Sequence, residues 1–298
     1  MDLHHLRTFV TVAEEQHLTR AAERLHISQP AASAQIKSLE RSFGIALFDR
    51  TSRGLELTRA GRTLMSKARR VLAEARDFNS LARELSGQTA GELAMGSNND
   101  PTLSRIAQVI SELRETCPLV GLSVQVRSSA AALQGVRIGE LDAAFLLSQG
   151  AGEDMRCVPL RTLDYRVCGP AAWRERIAEA SWAQLAALPW ITTSPGNAYA
   201  RMLDRLVAEQ GGVEVNSSVT SDNDIAIRAM IEAGIGISLV RADLAELAER
   251  AGRMAIHPYA RTSTQLVFVH LRDRDNDPLL RSLASAVRAT WPEAWAAA

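Results

Sequence analysis

One short segment of this 298-residue sequence carries polar side chains at a spacing suited to reading DNA bases. A glutamine can make two hydrogen bonds to adenine, a serine can reach base edges or phosphates, and a lysine suits phosphate or guanine. The segment from 29 to 43 has helical periodicity, and polar residues in the first two turns of such a helix are what a major-groove reader needs. The outward polar positions are Gln29, Ser33, Gln35 and Lys37, and the core-facing ones are Ala32, Ile36 and Leu39.

The residues that precede this recognition helix predict a helix-turn-helix. Ser28 is the expected N-cap, and Pro30 lies just inside the helix, where its missing N–H costs nothing. Periodicity predicts a first helix from 3 to 15 and a short second helix from 20 to 25, capped by Thr19. The alternative is an ordinary helical hairpin with a solvated polar face. The coincidence of cap, proline and polar row favours DNA binding.

A small hairpin is predicted directly after the recognition helix. Apolar residues alternate at 47–48 and 55–57, and a turn at 52–54 separates the two short strands. Arg50 and Arg53 lie on this hairpin, where their guanidinium groups are expected to bind backbone phosphates. The hairpin is therefore interpreted as a wing, and residues 1–59 as a winged helix-turn-helix DNA-binding domain.

Residues 60–88 are predicted to form one long linker helix that assembles two chains. Its apolar or small residues recur at alternating steps of four and three, the spacing of a coiled-coil seam. A helix with one apolar seam needs a partner, either a second copy of the chain or its own domain. Dimerisation would let two recognition helices read two half-sites. The predicted dimerisation residues are Leu64, Ala68, Val71, Ala75, Phe78, Ala82 and Leu85.

From residue 91 onward, strand-like runs alternate with helical stretches. This alternation predicts an α/β effector-binding domain over 91–298 with a largely parallel sheet. We expect two lobes, the first formed by about 91–163 plus 265–298 and the second by about 164–264. Asp100 is predicted to cap a helix from Thr102 to about 115, and the run 165–168 to be the first strand of the second lobe.

Polar residues at predicted strand ends and helix starts indicate a binding cleft between the lobes. Ligands of open α/β sheets bind at such ends, although each of these residues is equally well explained as a helix cap. Helix N-termini and hydroxyls favour a small carboxylate, whereas Asp100 and Asp222 favour an amino group, and both stay open. Tyr199 and Trp190 could form an aromatic wall of the cleft, although a tryptophan such as Trp190 is more typical of a core. The predicted effector-binding residues are Asn99, Asp100, Thr102, Ser128, Ser129, Thr193, Ser194, Asn197, Tyr199, Asp222 and Asn223.

The first 61 residues resemble the LysR-type transcriptional regulators. The motifs are the segments 18–31, 35–40 and 44–50, and Leu57-Thr58 followed by Ala60-Gly61; weaker similarity continues to the end of the chain. The resemblance implies a winged helix-turn-helix, a dimerising linker helix and a two-lobed effector domain like a periplasmic binding protein. It implies binding of double-stranded promoter DNA as a homodimer or homotetramer, a small-molecule effector, and possible contact with RNA polymerase. The expected DNA contacts also include Thr19, Arg20, Ser28 and Pro30.

Three positions depart from the residues that are usual in the LysR-type family. The family usually carries Arg where this chain has Ala34, and Pro where it has Arg59 and Arg241. The alanine removes an expected DNA contact, so the sequence preference is left open while DNA binding is still expected.

Charge and composition agree with a DNA-binding segment at the N-terminal end. Residues 1–90 hold 14 Lys and Arg against 10 Asp and Glu, and the remaining residues hold 20 against 24. No apolar run approaches the length of a membrane helix, and no secretory signal is seen, so a cytoplasmic location is expected. The three cysteines fit reduced core or strand residues, although a redox pair of Cys157 and Cys168 is conceivable.

An enzyme is the main alternative from another class of protein. The sequence contains no GxSxG, HExxH or P-loop motif and no complete dinucleotide fingerprint, so neither catalysis, a cofactor nor a metal is expected. A solute-binding protein would explain residues 91–298 but not the helix-turn-helix. A constitutive DNA-binding regulator, whose C-terminal domain only assembles the oligomer, is the other alternative.

Overall fold

The computed structural model describes residues 2–51, 54–85, 90–98, 100–148 and 150–295. Two compact units are present, one built mainly on Met1–Gly91 and the other mainly on Glu92–Val136, Leu141–Asn276 and Leu280–Ala298. Every helix in the described residues is too short or too polar to cross a membrane.

The N-terminal unit consists of three helices, a hairpin and one long helix around a single apolar core. Phe9 of the first helix meets Phe48 of the hairpin edge to face, with ring centroids 5.6 Å apart. The elements are α1 (Leu3–Glu15), α2 (Leu18–Arg24), α3 (Gln29–Phe43), β1 (Phe48–Thr51), β2 (Gly54–Leu57) and α4 (Arg59–Leu85). The buried core residues are Leu6, Phe9, Val12, Ala21, Ile36, Leu39, Leu47 and Ala68.

Local capping explains where the helices of this unit begin and end. The Ser28 hydroxyl accepts a hydrogen bond from the Ala31 N–H at the start of α3, and Gly44 ends that helix in the left-handed conformation. The expected bounds of α1 and α3 are therefore confirmed. The expected cap at Thr19 is wrong, because α2 begins at Leu18 and the carbonyl of His17 accepts its first helical hydrogen bond, from Ala21.

The second unit is built on a six-stranded sheet and a two-stranded sheet. The strand orders are β4-β3-β5-β10-β6-β9 and β7-β8. The strands are β3 (Gly91–Ser97), β4 (Val120–Val126), β5 (Ala143–Leu147), β6 (Met155–Pro170), β7 (Pro189–Thr192), β8 (Asn216–Thr220), β9 (Ser238–Arg241) and β10 (Met254–Leu271). The helices are α5 (Ile106–Thr116), α6 (Ser129–Arg137), α7 (Arg174–Ala178), α8 (Trp182–Ala187), α9 (Ala198–Glu209), α10 (Asp224–Glu232), α11 (Ala242–Arg250), α12 (Pro278–Thr290) and α13 (Pro292–Trp295).

Two long strands run through both lobes of this unit. Strands β6 and β10 pair antiparallel from Met254 opposite Pro170 to Leu271 opposite Met155. The run 165–168 is therefore the continuation of a strand from the first lobe, which corrects its predicted role as a first strand. The expectation of a largely parallel sheet is also wrong, because β10 pairs antiparallel with β5 and β6, and β6 with β9.

Each lobe has its own apolar core. In the first lobe, α6 packs on β5 and on the C-terminal half of β10; in the second, α10 and α11 pack on β9 and the N-terminal half of β10. The first core contains Ala132, Val136, Leu141, Ala144, Leu146, Ala151, Met155, Val267 and Val269. The second contains Cys168, Ile191, Ile227, Ile231, Val240, Ala245, Ala248 and Met254. The two lobes are thus separate packing units that share two strands.

A buried ion pair fixes the start of β5 in the first lobe. Arg274 Nη1 lies 2.7 Å from Asp142 Oδ1, and the two side chains are only 7% and 4% exposed. The second carboxylate oxygen of Asp142 accepts the N–H of Ala94 on β3 at 2.6 Å. Removing one member of such a pair leaves an uncompensated charge inside the protein.

We expect Asp142→Ala to lower the free energy of unfolding by about 3–5 kcal/mol, because the change removes a buried carboxylate that binds both the Arg274 guanidinium and the Ala94 N–H. Urea unfolding followed by circular dichroism measures the change. The matched control is Asp275→Ala, whose 39% exposed side chain lies 3.7 Å from His270. A loss from Asp142→Ala no larger than that of the control would contradict the account.

Candidate nucleic-acid interface and interlobe site

The N-terminal turns of α3 present a polar surface above the apolar core of the first unit. Gln29 and Lys37 are exposed and Ser33 is half-buried, while Ala32 and Ile36 face inward. Pro30 and Ala34 are also exposed, so the small side chain of Ala34 leaves this part of the surface open. The exposed row needs the helix to begin at Gln29, which Ser28 ensures by capping it.

Gln35 does not project freely from the helix, contrary to prediction. Its side-chain oxygen accepts a hydrogen bond from the Thr8 hydroxyl of α1 at 2.5 Å, and Thr8 is only 2% exposed. Helix α1 packs against α3 at this point, so a polar residue at the edge of the apolar face is satisfied within the domain. The contact fixes the orientation of the Gln35 amide.

The hairpin is held close to the end of α1. The Leu55 N–H donates to the carbonyl of Gln16 at 3.0 Å, and a Cβ at position 54 would lie 2.5 Å from that oxygen. Gly54 also has a φ of +129°, so glycine is required there on both counts. Arg50 lies on β1, paired with Leu55, whereas Arg53 lies outside the described residues.

The other predicted DNA contacts of this unit lie on α2. The Arg20 guanidinium donates to the carbonyl of Glu15 at 2.6 Å, and its side chain is 62% exposed. Thr19 is exposed in the first turn of the same helix, and Ser28 is exposed at the N-cap of α3. These three residues therefore lie on the surface of the first unit, and their contact with DNA stays a prediction.

The apolar seam of α4 divides into two parts. Leu64 packs on the core of the helix-turn-helix and Ala68 is 4% exposed inside it, so these two residues already have apolar partners within their own chain, and their contact with a second chain stays a prediction. Further along, Val71 is 38% exposed, Phe78 is 74% exposed and Ala82 is exposed, with Ala75 half-buried. The side chain of Leu85, at the end of the helix, lies outside the described part of the structure. The second half of the seam therefore remains available to a partner.

In the first lobe, Asp100 caps a turn rather than a helix. Its Oδ1 accepts the N–H groups of Thr102 and Leu103, each at 3.0 Å. Helix α5 begins only at Ile106, because Arg105 adopts the left-handed conformation with a φ of +48°. The predicted helix start at Thr102 is therefore wrong, and Asn99 lies outside the described residues.

The serines that open α6 are occupied within the first lobe. Ser128 accepts the Ala131 N–H at 3.3 Å, as a helix cap does, and Ser129 accepts the N–H of Leu147 at 3.0 Å. The second bond ties the start of α6 to the end of β5. The structural role therefore accounts for both hydroxyls.

Two predicted residues of the second lobe, Ser194 and Asn197, converge on a third, Asp222. Its Oδ1 accepts the Ser194 N–H at 2.9 Å and Asn197 Nδ2 at 3.0 Å, and the hydrogen bonds from Ser194 lower the pKa of Asp222. Asn197 and Asn223 also cap α9 and α10. Thr193 differs from these residues, because its buried hydroxyl oxygen has no hydrogen-bond partner in the described part of the chain.

An aromatic and acidic cluster lies beside these caps. Tyr199 meets Tyr165 edge to face with centroids 5.2 Å apart, and its hydroxyl donates to Asp224 Oδ2 at 2.7 Å. Burial raises the pKa of Tyr165 to about 12 and also raises the pKa of Asp224. Trp190 is fully buried and donates to the carbonyl of Leu185, so it is a core residue and not a cleft wall.

Arg241 joins the two lobes, which the sequence did not reveal. Its Nη1 lies 2.7 Å from Asp100 Oδ2 of the first lobe, while Nε and Nη2 contact the two carboxylate oxygens of Asp243 at 2.6 and 3.0 Å. Burial alone would lower the pKa of this guanidinium, but the hydrogen bonds to Asp243 and Asp100 outweigh burial and raise it. The one signal in the sequence was that Arg241 departs from the family pattern.

The two cysteines considered as a redox pair lie far apart. Cys157 and Cys168 are on the same strand, β6, and eleven steps of extended chain span about 36 Å. Burial raises the pKa of both thiols, which disfavours the reactive thiolate. A disulfide between them is incompatible with this fold.

Comparison with known proteins identifies both units. Residues 3–62 match the model of the bacterial regulatory helix-turn-helix protein, lysR family, and residues 86–292 match the LysR substrate binding domain. The HTH-type transcriptional regulator YfeR of Shigella flexneri is 26% identical over 97% of this chain and 92% of its own length. A full-length OxyR variant from Pseudomonas aeruginosa superposes with a TM-score of 0.69 at 25% identity, covering 97% of this chain and 95% of that chain. Full-length CbnR complexed with its target DNA, at 22% identity and a TM-score of 0.63, covers 97% of this chain and 99% of that chain and shares the fold.

The neighbouring carboxyls Asp222 and Asp224 should affect stability with opposite dependence on pH. The raised pKa of Asp224 makes its stabilising contribution greatest below its unfolded value of 3.8, and that contribution is lost as the pH rises through the folded value. The lowered pKa of Asp222 gives a contribution that is present above 3.8 and is lost as the pH falls through the folded value.

Unfolding free energies of Asp224→Asn and Asp222→Asn at several pH values between 3 and 8 test this prediction. The stability of Asp224→Asn relative to the unmodified protein should increase as the pH rises. That of Asp222→Asn should decrease over the same range. The same sign for both variants would contradict the assigned causes.

Proposed function

We propose, from the premise that this chain belongs to the LysR family of bacterial transcriptional regulators, that it binds promoter DNA as an oligomer and responds to a small molecule held between its two lobes. The observation that carries the proposal is the exposed polar row on the first turns of α3, supported from beneath by the apolar core. A helix with such a row can enter the major groove and contact base edges. The CbnR complex with its target DNA supports this use of the shared fold.

Within this surface, the residues of α3 divide into base-reading and phosphate-binding roles. Gln29 and Ser33 are assigned to base edges, and Lys37 to a backbone phosphate one turn further along the helix. Gln35 retains its amide N–H groups for a DNA contact, because Thr8 occupies only its oxygen. Thr19, Arg20, Ser28, Pro30 and the wing arginines Arg50 and Arg53 are proposed to contact the flanking backbone.

Assembly is assigned to the second half of the α4 seam. A 74% exposed phenylalanine at position 78, with the 38% exposed Val71 one heptad earlier, places two apolar side chains on the surface of α4. Covering these side chains with the same helix of a second copy would remove them from water. The proposed organisation is a DNA-binding domain over 1–59, a linker helix over 60–88 and an effector-binding domain over 91–298.

Effector binding is assigned to the polar surface between the lobes. Thr193 in the second lobe and Asn98 in the first each have a buried polar atom that finds no hydrogen-bond partner among the residues that the structure describes. Such atoms are costly in a folded protein unless a ligand or water satisfies them. Three of the other predicted residues, Ser128, Asn197 and Asn223, act as helix caps, so we assign them to shaping the site.

Replacing Lys37 by alanine should weaken DNA binding mainly through lost counterion release. Each phosphate contact contributes about 0.9 to the slope of log K against log salt concentration, so we expect Lys37→Ala to lower the slope by about that amount. Fluorescence anisotropy with duplex DNA at several salt concentrations measures it. The control Arg250→Ala removes an exposed charge at the end of α11 and should leave the slope unchanged. An unchanged slope for Lys37→Ala would remove this residue from the interface.

Replacing Phe78 by aspartate should dissociate the oligomer, because a carboxylate would then lie in the proposed apolar contact. We expect the dissociation constant to rise at least about tenfold, which corresponds to about 1.4 kcal/mol. Sedimentation equilibrium of the full chain measures the change, with Phe78→Leu as a variant that keeps the apolar contact. If Phe78→Asp sediments like the unmodified protein, the second half of the seam does not assemble the chain.

A further inference from the structure

We propose that the ion pair between Arg241 and Asp100 holds the two lobes together in the effector-free protein, and that the effector carries an ammonium or guanidinium group that replaces Arg241 at Asp100. This inference rests on the proposed function in one respect, namely that a small molecule binds between the lobes. It adds the charge class of that molecule and the contact that it breaks.

The pair is a direct charged contact between the lobes. Asp100 follows β3 of the first lobe, Arg241 ends β9 of the second, and the two side chains are 27% and 14% exposed. A close pair that is largely shielded from solvent, though partly exposed, is screened less than a surface salt bridge. The pair therefore resists a relative movement that would separate Asp100 from Arg241.

When the ion pair breaks, Arg241 and Asp100 differ in the hydrogen-bond partners that remain to them. Arg241 keeps Asp243, which binds it through both carboxylate oxygens and belongs to the same lobe. Among the described residues, Asp100 keeps the N–H groups of Thr102 and Leu103 on its other oxygen and has no second cation. Opening the pair thus leaves the guanidinium neutralised and one carboxylate oxygen without a cation.

This asymmetry favours exchange with a cation rather than with an anion. An ammonium group on Asp100 Oδ2 would leave both carboxylates paired, since Arg241 stays on Asp243. An anion on Arg241 would instead leave Asp100 without its cation, within electrostatic reach of Asp224, a half-buried carboxyl whose pKa Asp100 already helps to raise. Since an unpaired carboxylate is disfavoured near a second carboxyl, the cation exchange is preferred.

Polar groups of both lobes can receive the remainder of such a molecule. Asn98 lies two residues before Asp100, and its side-chain oxygen Oδ1 accepts the Asp100 N–H at 3.3 Å, while its Nδ2 is buried without a partner among the described residues. In the second lobe, the buried Thr193 hydroxyl likewise has no partner within the described part of the chain. A hydrogen-bonding group on the effector would satisfy these atoms, which gives a reason beyond charge for a ligand here.

The exchange gives the effector different affinities for the two lobe arrangements, which a switch requires. In the arrangement with the ion pair formed, Arg241 occupies Asp100 Oδ2. In the arrangement with the pair broken, that oxygen is available. A cation binds only the second, so its binding shifts the population toward it.

Paired substitutions in the full-length protein test the proposal without DNA. The probes are agmatine, which carries an ammonium and a guanidinium group, and succinate, a dianion, at constant ionic strength in isothermal titration calorimetry. We expect the unmodified protein to bind agmatine in preference to succinate. Asp100→Asn should weaken agmatine binding at least about tenfold, and Arg241→Gln should tighten it about tenfold because the internal competitor is gone.

Hydrogen exchange of the amides of Thr102 and Leu103 tests separately whether the Arg241–Asp100 pair holds the two lobes together. Without ligand, Arg241→Gln should raise their exchange rates at least about fivefold, because Asp100 loses its contact with the second lobe. The matched control is Arg253→Gln, which breaks the Arg253–Glu232 pair of 2.8 Å within the second lobe and should change neither these rates nor agmatine binding.

Opposite outcomes would overturn the proposal. If the Arg241→Gln variant does not bind agmatine, the cationic effector class is wrong. The same conclusion follows if Arg241→Gln abolishes succinate binding while Asp100→Asn tightens succinate binding. Unchanged exchange in Arg241→Gln would show that the pair does not hold the lobes together. Unfolding midpoints of all variants check that they fold, and a failure of DNA binding would leave these DNA-free results unaffected.

Discussion

The antiparallel pairing of β6 with β10 is the constraint on which the effector-binding domain depends. Both strands contribute to both lobes, so each lobe has its own core but shares a two-stranded connection with the other. The register shifts between Ile256 and Arg261 and between Leu266 and Val267. Irregular pairing of this kind bends and twists strands, so a change in lobe angle must be accommodated along them.

Two arginine–aspartate pairs of equal length serve different purposes on this frame. The pair of Arg274 with Asp142 lies within one lobe, almost fully buried, and fixes the start of β5. The pair of Arg241 with Asp100 has the same 2.7 Å separation but joins different lobes and is partly exposed. A contact inside a lobe stabilises a fold, whereas a contact between lobes stabilises one arrangement of that fold. The second is therefore the one that a ligand can regulate.

Local signals in the sequence predicted the elements whose ends are set by neighbouring residues. Ser28, Pro30 and Gly44 define α3, and the prediction of that helix was confirmed at both ends. The sequence also indicated most strands of the effector domain, because buried runs such as 143–147 are uniformly apolar. The family and its two domains could be identified from short motifs in the first 61 residues.

Long-range contacts set the features that sequence reasoning missed. Gln35 is polar and lies on the predicted outer face, yet a buried hydroxyl of another helix binds it. Ala68 fits the heptad seam, but the same spacing also serves packing against its own domain. Nothing near Arg241 in sequence indicates that its partner is Asp100, 141 positions earlier, so the interlobe contact needed three-dimensional coordinates.

Selection from random-sequence duplexes determines whether the first unit reads specific DNA sequences. The purified full-length protein would be mixed with the duplex pool at low salt, and the bound fraction amplified and sequenced over several rounds. The account predicts an enriched site with two half-sites whose centres lie about 34 Å apart, or a multiple of that distance, and protection of that site from nuclease that is lost steeply as salt rises. Recovery of no common site by a folded, oligomeric protein would contradict sequence-specific DNA binding.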